Sequence, residues 1–153
     1  MCNFKKTNYA IVGINKIADI SAVLSSFKDT LPTLKNGVVR IDEFSVKVLN
    51  NGLMYAYEDA EAQKGFVVFY ANDQVDKTAY LSMIAVKEQY RGEHIGTKLL
   101  NWVEIESFKL GMSRLRLEVN KQNNAAIDFY KRRGFTICGE KPDSYYMHKA
   151  LGE

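Results

Sequence analysis

No apolar run in this sequence approaches the roughly 18 residues that cross a bilayer, so no membrane span is expected. The opening stretch, MCNFKKTNYAIVGIN, is equally short of the continuous apolar segment of a secretory leader, and the expected compartment is the cytoplasm. Cysteine is scarce: Cys2 and Cys138 are the whole supply, too few and too isolated for a disulfide framework or a metal site. Neither has a histidine close by in sequence, so Cys138, in GFTICGEK, reads as a strand residue and not a nucleophile. Surplus charge is also lacking. A formal net charge of +3, spread along the chain, argues against nucleic acid as a partner. The densest basic cluster, Lys131-Arg132-Arg133, reads as the solvated end of a helix, with a phosphate contact as the alternative. No repeat, low-complexity tract or linker interrupts the chain. With 46% hydrophobic residues and 25% charged, residues 1–153 are expected to form one globular domain with a substantial core.

Apolar periodicity then divides the chain into elements. YAIVGI (9–14) reads as a strand, and residues 16–28 as a helix with Ile17, Ile20, Val23, Leu24 and Phe27 on one face. LPTLKNG (31–37) reads as a loop. A short helix is expected from about Asp42 to Leu49, with Gly52 as a left-handed cap. Strands at 52–59, 64–73 and 78–87, joined by short polar connections, suit an antiparallel meander. A helix follows over 95–109 with Leu99, Val103 and Leu110 as its inner stripe, Trp102 beside it and Gly111 at its end. A strand (113–120), a helix (123–134) and two closing strands (FTICGEK and SYYMHKAL) complete an α+β fold with a mixed sheet.

QYRGEHIGTKLL (89–100) lies between a strand and a helix. It is not a Walker A loop, because only three residues separate Gly92 from Gly96 and Thr97 precedes Lys98. Nor is it a dinucleotide fingerprint, since no G-x-G-x-x-G occurs there. The physics of an anion site nevertheless holds. The first helical turn has N–H groups without intrahelical partners, and its dipole favours negative charge. Gly92 and Gly96 permit close backbone approach, and Arg91 and Lys98 add positive charge. The stretch therefore suits a pyrophosphate.

MIAVKEQYRGEHIGTKLL resembles the signature strand, loop and helix of the GNAT superfamily of acyl-CoA-dependent N-acyltransferases. The family's loop pattern is Q/R-x-x-G-x-G/A, and Arg91 to Gly96 fits it except that His94 stands where the pattern has its first glycine. LEVNKQNNAAIDFYKRRGF (117–135) resembles the family's second signature, and the two occur in the expected order. The resemblance covers nearly the whole chain. It implies a mixed, mostly antiparallel central sheet of six to seven strands flanked by about four helices.

It further implies acetyl-CoA as cosubstrate, with no metal. Ile84, Ala85 and Val86 would pair with the pantetheine amides as an added strand. Arg91, Gly92, Glu93, His94, Ile95, Gly96 and Thr97 would hold the pyrophosphate largely through backbone N–H groups. Asn123 would cap a helix and touch the pantetheine arm, while Ala126, one turn before Tyr130, leaves room for the cofactor. Tyr130 is the candidate general acid for the departing thiolate. Glu118, alternating with Leu117 and Val119, is the candidate base, as in the ribosomal-protein N-terminal acetyltransferases that LEV followed by Tyr130 resembles. A strand glutamate paired with Arg116 is its structural alternative, and a water is the alternative base. His94 is expected to use its N–H, with a ring contact to phosphate as the second reading.

The implied reaction is direct attack of a primary amine on acetyl-CoA in a ternary complex. A non-catalytic acyl-CoA-binding or sensor domain is the alternative. The acceptor would bind near residues 25–45 and 140–147. Glu58, Asp59 and Glu61 either attract a cationic amine or are simply solvated. Tyr145 and Tyr146 either line the mouth or edge the core, and His148 reads as structural. The expected assembly is a monomer or homodimer.

Overall fold

The computed structural model describes residues 8–152, so Cys2 lies outside the described residues. Seven strands, β1 (Tyr9–Gly13), β2 (Leu53–Asp59), β3 (Gln63–Tyr70), β4 (Thr78–Val86), β5 (Arg114–Asn120), β6 (Thr136–Glu140) and β7 (Ser144–Ala150), join in one sheet. Its order is β1-β2-β3-β4-β5-β7-β6. The helices are α1 (Ile17–Ser26), α2 (Pro32–Lys35), α3 (Ile41–Asn51), α4 (Ile95–Lys109) and α5 (Asn124–Arg132), five where about four are expected. The α+β fold with a mostly antiparallel sheet is the one expected. β1–β2, β5–β7 and β6–β7 run antiparallel, whereas β4–β5 is parallel. A parallel pair needs a long crossover, and α4 supplies it.

The chain divides into two compact units: the described part of Met1–Val68 with Ile84–Leu100, and Phe69–Met83 with the described part of Asn101–Glu153. In the first, α1 buries Ile20, Val23 and Leu24 at i, i+3, i+4 spacing. Phe27, fully buried, meets Phe66 edge to face at 4.9 Å. Two expectations are corrected here. Residues 31–37 are not all loop, because Pro32 starts a helical turn that buries Leu34; proline's fixed φ suits a first helical position. Gly52 does close α3 but at φ −110, outside the left-handed region. The chain passes straight into β2, and extended backbone is what a strand entry requires.

In the second unit β5 alternates strictly, burying Leu115, Leu117 and Val119. Met147 on β7, Ile127 and Tyr130 on α5, and Phe135 are buried too. Burying each such side chain contributes roughly 1.5–3 kcal/mol. Along α4 the buried residues are Ile95, Leu99, Leu100, Val103 and Ser107, while Leu110 is 46% exposed, correcting its place in the inner stripe. Leu110 lies past the helix end, where Gly111 at φ 90 turns the chain away. Cys138 is an exposed residue of β6. Among the described residues no helix is long and apolar enough to cross a membrane.

Candidate active site

In the first unit Ile84, Ala85 and Val86 end β4, a 3₁₀ turn covers Glu88–Tyr90, and α4 begins at Ile95. Gly92 has φ 91 and His94 φ 62, so both loop residues sit in the left-handed region. Histidine tolerates that region better than a β-branched residue does, yet it still meets a steric cost there. The His94 carbonyl accepts the helical N–H of Lys98 at 3.1 Å. The N–H groups of Ile95 and Gly96 precede that first bond, as an anion-binding helix start requires. Arg91, Gly92, Glu93 and His94 are exposed, and Ile95 turns inward as a core residue.

Beneath this loop lies a charge cluster that sequence reasoning missed. Lys64, on β3, is 3% exposed, and its ammonium meets Asp59 at 2.7 Å, Glu93 at 3.1 Å and Glu61 at 3.2 Å. It also stands 4.5 Å from the centre of the Tyr90 ring. Asp59, foremost among these partners, raises the ammonium's pKa, and Lys64 in turn holds the Asp59 carboxyl below its usual range. The Lys64 carbonyl accepts the N–H of Lys87 at 3.0 Å. One buried lysine thus ties the loop residue Glu93 to the β2–β3 hairpin. The acidic group is not simply solvated throughout: the Asp59 side chain is buried against Lys64, Glu61 pairs with Lys64 while staying largely exposed, and Glu58 accepts from Gln63 at 2.8 Å. A buried lysine beside carboxylates can be suspected from KG inside an apolar strand, but Glu93's part in it could not.

Gly65 is a second such residue. A Cβ there would lie 2.9 Å from the Ala85 carbonyl oxygen, 3.1 Å from Ile95 Cγ2 and 3.1 Å from Leu99 Cδ1. Its missing side chain is what lets β3 lie against the end of β4 and the start of α4.

In the second unit Glu118 and Tyr130 come from β5 and α5. Glu118 accepts from the Ser144 hydroxyl at 2.6 Å and from Lys141 at 3.3 Å, so its partners come from the β6–β7 corner and not from Arg116. The Ser144 bond, with Lys141 behind it, holds the carboxyl below its usual range. Arg116 instead stacks its guanidinium 4.2 Å from the Tyr146 ring centre. Tyr130 is 8% exposed, packed edge to face with Phe129 and Phe135, and burial pushes its phenol up to about 12. Asn123 caps α5, its side chain accepting the Ala126 N–H at 3.1 Å. Ala126 is half-buried on the same helix face as Tyr130.

The β4–β5 ladder runs only from Thr78↔Arg114 to Leu81↔Leu117. Beyond it Glu118, Val119 and Asn120 stay paired with Tyr146, Tyr145 and Ser144 of β7. His148 lies 3.3 Å from an Arg114 nitrogen, a partner invisible in sequence. Arg133 is not merely solvated; it packs over the Phe129 ring at 3.7 Å and donates to the Phe129 carbonyl. No group of three or more His, Cys, Asp or Glu among the described residues could hold a metal ion.

Residues 24–135 match the family model described as acetyltransferase (GNAT) family. The chain is 36% identical over 70 residues to a thialysine N-epsilon-acetyltransferase from Sus scrofa, covering 46% of this chain and 41% of that protein. It spans 34% to 62% of the length of curated relatives that it matches. The ribosomal-protein-S18-alanine N-acetyltransferase from Escherichia coli superposes with a TM-score of 0.77 at 21% identity, over 95% of this chain and 96% of that one. The PaiA N-acetyltransferase from Thermoplasma acidophilum, solved in complex with coenzyme A, superposes with a TM-score of 0.75 at 20% identity, over 94% and 99%. At these identities the two structures establish the shared fold.

Proposed function

This chain belongs to the acetyltransferase (GNAT) family, and on that footing we propose that it transfers an acetyl group from acetyl-CoA directly to a primary amine. The observation that carries the reading is the early end of the β4–β5 ladder, after Leu81 and Leu117, while both strands continue. Unpaired strand edge accepts an extended amide chain by the same hydrogen bonds that build a sheet. Ile84, Ala85 and Val86 take that role toward the pantetheine arm. Arg91, Gly92, Glu93, His94, Ile95, Gly96 and Thr97 hold the pyrophosphate, in a loop whose Gly92 and His94 are left-handed. Lys64 anchors this loop through Glu93. Asn123 and Ala126 accommodate the arm beside α5.

Acetyl-CoA supplies an acyl group activated as a thioester. The chain's own residues handle protons and charge. A backbone N–H near Ile84 or Ala85 stabilises negative charge as it develops on the acyl oxygen. Tyr130 gives the departing thiolate a proton, and a phenol held protonated to about pH 12 is always loaded for that task at neutral pH. Glu118 draws in the cationic amine and holds the water that takes its proton. Because its carboxyl binds protons weakly, transfer passes through a water that returns the proton to solvent.

Thiol release from acetyl-CoA across a panel of primary amines tests the reading. Amine-dependent release is expected. Saturable coenzyme A binding with no release for any amine would instead identify a sensor domain.

A further inference from the structure

The polar face of β5 presents Arg114, Arg116 and Glu118 in succession, opposite to buried Leu115, Leu117 and Val119. Arg114 and Arg116 line a cavity of about 280 Å³ with Thr78 and Tyr80. Arginine without an acidic partner is unusual at such a place. The ion pairs among the described residues include neither Arg114 nor Arg116. Arg114 spends one nitrogen on the Thr78 hydroxyl at 3.2 Å and another beside His148. Arg116 is the emptier of the two. Its Nε is buried with no hydrogen-bond partner, and Tyr146 fixes the plane of its guanidinium. A planar guanidinium held over a ring and given no ion pair among the described residues suits a carboxylate.

Two aspartates, Asp73 and Asp76, also line the cavity, but both are exposed. Asp73 turns one oxygen back to the N–H groups of Val75 and Asp76. They leave Arg116 unpaired, while their charge discourages a dianion such as phosphate.

Glu118 follows Arg116 by two residues on the same face, a separation of about 7 Å along a strand. A molecule with an ammonium at Glu118 and an anion at Arg116 therefore has its charges about that far apart. We propose that the acceptor is an amino acid-like molecule whose carboxylate is held by Arg116, with Arg114 behind it, while its distal amine lies at Glu118. This rests on the acetyl-transfer reading and adds a substrate class to it.

The test compares 6-aminohexanoate with hexylamine, which differ only in the carboxylate, by thiol release from acetyl-CoA. The wild-type protein is expected to favour 6-aminohexanoate in kcat/KM by roughly 10-fold or more, as a charged hydrogen-bonded pair commonly gives. In Arg116→Gln that ratio should fall to about one. Hexanoate, which has the carboxylate alone, should inhibit the wild-type protein competitively against 6-aminohexanoate, an arm that depends on no variant. Equal use of the two amines, a ratio that survives in Arg116→Gln, or no competition by hexanoate would overturn the inference. Turnover of neither amine by a protein that binds coenzyme A would also overturn it, leaving acetyl transfer to another amine intact. Failure to bind coenzyme A would overturn the transfer reading itself.

Discussion

Replacing Gly65 with alanine asks whether the spacing beneath the cofactor strand is as tight as the geometry says. The added methyl would begin 2.9 Å from the Ala85 carbonyl oxygen and 3.1 Å from both Ile95 Cγ2 and Leu99 Cδ1. The two side chains can rotate away by tenths of an ångström. The carbonyl cannot, because it belongs to the β4 backbone. Overpacking of this kind costs about 1–3 kcal/mol. Removing a glycine from a strand interior returns about 0.5–1 kcal/mol. The net is centred on about 1.2 kcal/mol, a drop in melting temperature of about 2–5 °C for a chain of this size. The strain should also push Ala85 outward and weaken coenzyme A binding, measured by titration calorimetry. Gly13→Ala is the control. Its nearest neighbour, Tyr55 Cε1, would be at 3.5 Å, an ordinary contact, so no clash cost is expected. A Gly65→Ala protein with unchanged melting temperature and unchanged coenzyme A affinity would refute the reasoning, showing that β3 yields and the cofactor strand does not.

His94→Gly relieves a left-handed side chain, worth about 1 kcal/mol, and loosens the unfolded chain by a similar amount. Chemical denaturation should find stability within about 0.5 kcal/mol of wild type, with coenzyme A affinity unchanged; a large loss of affinity would assign the ring a role. Tyr130→Phe should lower the rate of thiol release on the order of 100-fold at neutral pH. In the wild-type protein Tyr130 should produce no falling limb of kcat/KM below about pH 10, since its phenol is pushed up to about 12. Because folding raises that pKa above the ordinary value of about 10, the wild-type protein should lose stability as pH climbs from there through 12, and Tyr130→Phe should lack this loss in alkaline melts. Glu118 has its pKa lowered by folding, so its stabilisation is complete above about pH 4.5 and drains away as pH falls through the folded value. The melting-temperature gap between wild type and Glu118→Gln should therefore close in acid; a gap that widens would contradict the Ser144 and Lys141 contacts.

Order and type of element were legible from sequence because they depend on neighbours a few residues apart. The α1 stripe, the β5 alternation, the Asn123 cap and the strand-turn-helix around Gly92 are all set by periodicity, capping and local backbone preference. Where local reading failed, at Gly52 the following strand decided the backbone, while at Leu34 and Leu110 a proline helix start and a glycine helix exit set limits that apolar periodicity did not reveal. The linked signatures at 83–100 and 117–135 carried the family on the same local basis.

Partner choice was a different matter, because it follows from strand register and not from spacing. Lys64 gathers Asp59, Glu61 and Glu93, the last 29 residues away, because the β2–β3 hairpin and the turn after β4 meet there. Glu118 chooses Ser144, 26 residues away, over Arg116, its neighbour on the same strand. The reason is that β5 pairs with β7 in a register that brings the β6–β7 corner to the end of the strand. That same register turns Tyr146 onto Arg116 and leaves its guanidinium without an acid. By itself the sequence determined the fold, the family and the identity of the acid, base and cofactor-loop candidates. Only tertiary structure decided which charges those residues face, because an ion pair depends on distance through space and the chain must fold before that distance exists.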